Sequence, residues 1–416
     1  MKRAESNLKS KNLRNKILAA AIALLALIIA MLPGADGDGD ITSKLIVVAM
    51  AIDYEDGEIK TTVSAAVPKP GSSESSSVVG VPVSAKGGSV AGCLSDIERK
   101  TGKSLETGLC GVIIIGDELA KRGINTVLSA ILSDGTVSPG AYLAQADGCS
   151  GEQIINRAAS LEFDSATVLT ELMTGATKNT GAKTVTLLQF VSDSASLSKC
   201  ATVPLVSIKK ADDNSGEAAK EDGDGGNGGS GSDNGKEKSE PCEIDTAALY
   251  KKGVMVGKLD KTASRGLSYF DSHTRKGALV CPDFVIGGRN VGTLSGEISS
   301  VKLKNQTSFS GGKPKSLLKV KVMLKGADRE RVNAVAMDEN LSPEQINEAY
   351  KRNFERQIES EVRAALDQSL ALGCDVFETE QKLYRFHTDK YKEFIRGGGN
   401  VLGDCEFEIK AEITVS

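Results

Sequence analysis

Apolar residues fall along this chain in three rhythms: one long block, several short runs, and one sustained four-residue repeat. The block is Ile17–Leu32, sixteen residues without a charged or polar side chain. As a helix it is about 24 Å long at ~1.5 Å per residue, short of the ~30 Å hydrocarbon core of a bilayer. Its apolar positions are Ile17, Leu18, Ile22, Leu24, Leu25, Leu27, Ile28, Ile29 and Leu32, and Lys16 at its border can snorkel.

The short runs come next. Lys44–Ala51 (KLIVVAMA) reads as a buried strand, Asp53–Gly57 as a turn and Glu58–Val67 as a second strand, so the pair is a β-hairpin. Pro68–Ser77 is a Pro/Gly/Ser loop. Val90, Cys93, Leu94 and Ile97 keep helical spacing up to Gly102. Gly111–Gly116 (GVIIIG) suits a strand covered on both faces. Two helical pieces succeed it, Asp117–Arg122 and Ile124–Leu132, broken at Gly123. Ala141–Ala146 reads as a strand and Gly151–Phe163 as a helix. Strands alternating with helices predict an α/β sandwich over residues 41–210.

Residues 211–240 contain no large apolar side chain and cannot bury enough surface to fold, which makes them a flexible linker or inserted loop. Gly223, Gly225 and Gly228 satisfy GxGxxG there, but no strand precedes them and no helix comes after, so the dinucleotide reading fails. Beyond, Ala247–Leu259 reads as a hairpin turning near Lys252-Gly253, and Gly292–Thr307 and Ser316–Lys325 alternate as strands. Ser342-Pro343-Glu344-Gln345 is a helix start with a capping box. Ile346, Tyr350, Phe354, Ile358, Val362, Leu366 and Leu370 then recur every four residues to a stop near Gly373. Glu355–Glu361 reads as the solvated face of that helix. Val401–Val415 alternates as a final strand. Residues 241–416 therefore read as α+β, a long helix across a mostly antiparallel sheet.

Charge gives the block its meaning. Lys2, Arg3, Lys9, Lys11, Arg14 and Lys16 precede it against Glu5 alone, which holds the N-terminus in the cytoplasm and exports the chain beyond Leu32. No clean pair of small residues marks a cleavage site, and the first cysteine is Cys93, so the run reads as a retained transmembrane signal anchor within residues 1–40. The net charge of −4 argues against nucleic acid, and 4% aromatic content without Trp argues against stacking platforms.

Chemistry is sparse. Asp36, Asp38 and Asp40 resemble a calcium loop, but Ile41 and Val47 stand where Gly and Glu are needed. The eight cysteines form no CxxC pair, and only His273 and His387 could join them. They read as small buried residues, with one or two disulfides open. His387 reads as a surface or loop residue. No GxSxG, Walker loop or HExxH is present, so no catalytic, metal or cofactor-binding residue is assigned. An anchored extracellular binding or assembly scaffold is one reading these residues allow by themselves.

Three blocks, in order, resemble the Ger(x)C family of spore germination proteins, the third (C-type) subunit of nutrient germinant receptors. Asp40–Val67 resembles the family's opening hairpin, with Ala49–Asp53 at its strand end. Leu105–Gly148 carries Gly116-Asp117-Glu118-Leu119-Ala120 and Leu132-Ser133-Asp134. Ala247–Phe270 carries Gly257, Leu259, Arg265 and Gly266, and Asp375-Val376-Phe377 resembles the family's helix exit. The resemblance makes Gly116, Glu118, Gly257, Leu259, Arg265, Gly266 and Asp375 the family-motif or interface candidates. It implies a non-enzymatic subunit on the outer face of the spore inner membrane, without a cofactor. Its partners would be the integral-membrane A- and B-type receptor subunits; direct binding of the germinant stays open. Family members are typically lipoproteins, and here the apolar block stands in for the missing lipidated cysteine.

Overall fold

The computed structural model describes residues 43–68, 78–160, 165–178, 181–209, 241–271, 277–327 and 330–415. The Ile17–Leu32 anchor, the short flexible spacer expected at Gly34–Asp40, the 211–240 linker and most of the 68–77 loop lie outside the described residues. Among those described, no helix is long and apolar enough to cross a membrane.

Residues Ile46–Ser416 form one compact unit built on two main sheets. The first opens with β1 (Lys44–Glu55) and β2 (Glu58–Pro68). They are joined through Asp56-Gly57, both at positive φ (54° and 88°), as an Asp-Gly hairpin turn requires. The strand runs four residues further than the KLIVVAMA block suggested, and β3 (Val78–Gly87) then pairs with β2. Helix α1 (Val90–Thr101) is capped by Ser89, whose Oγ accepts from Gly92 N–H, and ends at Gly102 in the left-handed region. After β4 (Ser104–Glu106), β5 (Val112–Ile115) leads into α2 (Asp117–Arg122) and α3 (Asn125–Asp134), with Gly123 (φ 111°) making the break. β6 (Tyr142–Ala146), α4 (Gly151–Ser160), α5 (Ser165–Lys178), β7 (Val185–Thr186), α6 (Leu187–Ala195) and β8 (Cys200–Ile208) complete the N-terminal part.

Strands β1, β5, β6 and β8 are parallel neighbours, which explains their unbroken apolar runs: both faces are covered. Met50, Ile52, Ile113, Ile115 and Leu143 face the side packed by α1, α2, α3 and α6. Ala49, Ala51, Val112, Ile114 and Ala144 face α4 and α5. The sheet does not stop at the 211–240 segment. β9 (Cys242–Lys251) pairs antiparallel with β8, and β10 (Val254–Leu259) forms the edge beyond it, giving the order β10-β9-β8-β6-β5-β1-β2-β3.

After α7 (Lys261–Ser268), the second sheet is built from β11 (Gly277–Cys281), β14 (Leu294–Ser310), β15 (Lys313–Ala327) and β16 (Glu406–Val415), in that order. A small ribbon of β12 (Val285–Ile286) and β13 (Arg289–Asn290) lies beside it. Two of the three pairings are antiparallel; β15–β16 is parallel, because the returning chain passes through α8 (Glu330–Asp338), α9 (Pro343–Ala371), α10 (Thr379–Phe386), α11 (Thr388–Arg396) and α12 (Val401–Asp404). The predicted capping box is present: Ser342 Oγ accepts from Gln345 N–H, and Gln345 Oε1 accepts from Ser342 N–H. Tyr350, Phe354, Ile358, Val362 and Leu366 of α9 share one core with Leu318, Val320, Val322, Leu324, Ala411 and Ile413 of the sheet.

Two readings of this half are corrected. Val401–Asp404 is a helical turn rather than strand, because the Asn400 side chain accepts from Leu402 and Gly403 N–H and bends the chain before β16. Glu355–Glu361 is not a solvated face. Glu355 accepts from Ile413 N–H and Glu359 from Ala411 N–H, both at 3.0 Å, so two carboxylates of α9 satisfy the free edge of β16. Glu361 is 1% exposed.

Candidate functional site

Short helix α7 begins at Asp260, whose side chain accepts from Ala263 N–H, and crosses the C-terminal half of α9. Gly266 makes the crossing close: a Cβ there would fall 2.0 Å from the Glu361 carbonyl oxygen and 2.8 Å from Val362 N. Backbone meets backbone, so only glycine fits. The neighbouring side chains converge on the Glu361 carboxylate. Arg265 donates to Oε1 at 3.3 Å, Gln357 Nε2 to Oε1 at 2.9 Å, and the Tyr269 hydroxyl to Oε2 at 2.7 Å. Burial pushes the Glu361 carboxyl above its ordinary value, while the Tyr269, Gln357 and Arg265 contacts pull it down. Burial also holds the Tyr269 phenol protonated, as a donor.

Gly257 and Leu259 bring β10 of the first sheet to the same joint. A Cβ on Gly257 would lie 2.7 Å from both terminal methyls of Leu372, at the end of α9, and Leu259 is buried with Ala263 and Leu267 of α7. Asp375 stands three residues further on, 4% exposed. Its carboxylate accepts from Thr379 and Glu380 N–H at 3.0 and 2.7 Å and so starts α10. Gly257 and Asp375 thus lie where the first sheet meets the exit of α9, Leu259 packs on α7, and Arg265 and Gly266 set α7 against Glu361, about three helical turns earlier.

Gly116 and Glu118 belong elsewhere. Gly116 precedes α2, and a Cβ there would strike Asp53 Oδ1 at 2.2 Å. That carboxylate, at the C-terminal end of parallel strand β1, accepts from Gly151 and Glu152 N–H at 2.8 and 3.0 Å, the first turn of α4. Ser150 Oγ accepts from Gln153 N–H, completing the cap. Burial raises the Asp53 carboxyl despite these donors. Glu118 sits on the surface of α2, ion-paired with Lys121 at 2.8 Å, and touches neither cluster.

Sequence reasoning missed Asp53 and Glu361 as the residues each glycine makes room for. The signal for Asp53 was an acid closing the apolar strand end Ala49–Asp53; Glu361 had none, since it is one of several acids on α9. A second polar network was also unread: Tyr250 donates to Gln145 at 2.6 Å, Gln145 to Asp117 at 3.1 Å, and Lys258 bridges Asp147 at 2.6 Å. His387 lies between α10 and α11, half-buried, with Nε2 2.7 Å from Thr307 O. All eight cysteines are free thiols, six of them buried. Among the described residues no cluster of three His, Cys, Asp or Glu is placed to hold a metal.

Comparison with known proteins matches both halves to family models. Residues 39–208 match a spore germination protein N-terminal domain, and residues 245–416 match the spore germination B3/GerAC-like C-terminal domain. No curated protein matches the chain. A solved structure, the crystal structure of the GerBC protein, aligns over 88% of this chain and 96% of its own, at 16% identity and a TM-score of 0.49. The two family models together span most of the residues, and the chain belongs to the Ger(x)C family of spore germination proteins.

Proposed function

We propose that this chain is a non-catalytic, membrane-held subunit of a spore nutrient germinant receptor, working with integral-membrane A- and B-type subunits on the outer face of the spore inner membrane. The observation that carries the reading is the ordered match of both family domains. The basic N-terminus and the Ile17–Leu32 block support export and retention at the membrane. The buried, mutually satisfied polar groups around Glu361 and Asp53 support a body whose charged residues hold elements together rather than meet a substrate. In this reading Ile17–Leu32 is an uncleaved anchor, 41–210 and 241–416 are the two family domains, and 211–240 links them.

The test is deletion of the gene in its spore-forming host, with affinity purification of the tagged chain from spore membranes. Loss of nutrient-triggered germination together with co-purification of multi-spanning receptor subunits is expected. Normal germination with no such subunit recovered would end the reading. Mass spectrometry of the N-terminus from the same membranes is expected to find residues 17–32 intact and unlipidated.

A further inference from the structure

Cys200 opens β8, and Cys374 lies just beyond the end of α9. Three separate contacts fold these distant positions onto each other. Cys200 pairs in the sheet with Lys251; Lys251 Nζ donates to Gly373 O at 2.8 Å; and the Cys374 thiol points at Tyr250 O, 3.9 Å away, next to Lys251 on β9. Both cysteines belong to one buried cluster, and each thiol donates to a backbone carbonyl: Cys200 to Ser198 O at 3.1 Å and Cys374 to Tyr250 O. Their surroundings are unequal. Cys200 lines a small polar cavity of about 170 Å³ with Asp193, Ser196, Ser198, Asp375 and Gln381, whereas Cys374 is fully buried behind it.

We propose that Cys200 and Cys374 are a redox-sensitive pair, with Cys200 the sulfur that meets a small-molecule disulfide and Cys374 the one that resolves it. The cavity admits the disulfide to Cys200, which attacks one of its sulfurs and releases a small thiol. Cys374 then attacks the mixed disulfide at Cys200, forming the Cys200–Cys374 bond and releasing the second small thiol. Two electrons and two protons pass from the protein thiols to the reagent. Cys200 lines the cavity and Cys374 does not, so Cys200 is the sulfur that a reagent reaches first. Burial pushes Cys110 up to about 12 and Cys405 up to about 12, which keeps them inert. The bond would fasten the first sheet to the chain leaving the long helix, beside the Asp375 cap.

The experiment uses the full chain in detergent, purified reduced and incubated with oxidised glutathione, then alkylated and digested with trypsin. The expected product links peptide Cys200–Lys209 to peptide Ala364–Lys382, two hydrogens lighter than their sum, with a higher melting temperature than the reduced chain. Cys374→Ser is expected to keep glutathione on Cys200, and Cys200→Ser to take up none at Cys374; Cys374→Ala repeats the first test should the serine disturb folding. Eight alkylated thiols after oxidation, glutathione persisting on Cys200 of the unaltered chain, or a bond between other cysteines such as Cys149 and Cys242 would overturn the proposal.

Discussion

Replacing Gly266 by alanine presses on the joint at its tightest point. The new methyl would stand 2.0 Å from the Glu361 carbonyl oxygen, where ordinary contact begins at 3.4 Å; the methyl is fixed to the α7 backbone and the oxygen belongs to the α9 backbone, so neither can swing aside. Helix α7 must therefore move out by more than an ångström. Overpacking of this kind costs about 1–3 kcal/mol. The same movement stretches the Tyr269–Glu361 hydrogen bond and leaves a buried carboxylate short of a donor, about 1–2 kcal/mol more. Alanine's better helix propensity returns about 1 kcal/mol. The net loss is on the order of 3 kcal/mol, and the melting temperature should drop by roughly 5 °C or more. Gly175→Ala is the matched control: it lies inside α5 with nothing within 4 Å of the added carbon. It should stabilise by up to about 1 kcal/mol. Urea unfolding followed by circular dichroism reads both variants. If Gly266→Ala unfolds at the wild-type urea concentration, or shifts upward as Gly175→Ala should, the close approach of α7 to α9 is wrong.

Asp193 should make stability depend on pH. Burial lifts its carboxyl from 3.8 to about 6, so the cost of its charge is absent below the unfolded value and stability is lost as pH rises through about 6. Asp193→Asn is then expected to stabilise by about 1–2 kcal/mol at pH 7.5, allowing for solvent screening, with the gain shrinking as pH falls and vanishing below the unfolded value of 3.8. Equal urea midpoints for variant and wild type at pH 7.5 would refute this. Ser342→Ala should lose about 1 kcal/mol by removing the side-chain half of the α9 capping box. A hydrogen-exchange measurement should place the loss in the first turn of α9, and unchanged protection there would contradict it.

Elements with a strong local signal were legible in the residues alone. The four-residue repeat behind Ser342-Pro343 became α9, Pro343–Ala371, ending two residues before Gly373. The Lys252-Gly253 turn has both residues at positive φ, as a tight hairpin needs, and GVIIIG contains β5. Less patterned segments were not legible. Helix α5 is rich in Ser, Thr and Ala, α6 is only nine residues long, and β8 comes after them without a turn signal strong enough to separate it. The amphipathic pair α10 and α11 flanks His387 and presents mostly polar residues, so neither announced a core face.

The candidate residues divide the same way. Gly257, Leu259, Arg265, Gly266 and Asp375 came from motif resemblance, but what each does depends on partners far along the chain. Gly266 matters because Glu361 O lies against it, and Gly257 because Leu372 fills the space its side chain would take. Glu361 shows the limit most clearly, reading as a solvated acid beside Glu355 and Glu359, while the fold buries it under Tyr269 and sets the other two against the edge of β16.

By itself the sequence determined the apolar block with its basic flank, the covered parallel strands, the long helix and its cap, and the family. Those rest on hydrophobic period, charge asymmetry and neighbours within a few residues. Only the tertiary structure decided that Cys242–Leu259 completes the first sheet, that α7 lies on α9, and that Cys200 and Cys374 share one buried cluster. Each joins residues far apart in the chain, and such contacts arise from the simultaneous burial of whole faces, a quantity that no local window of residues contains.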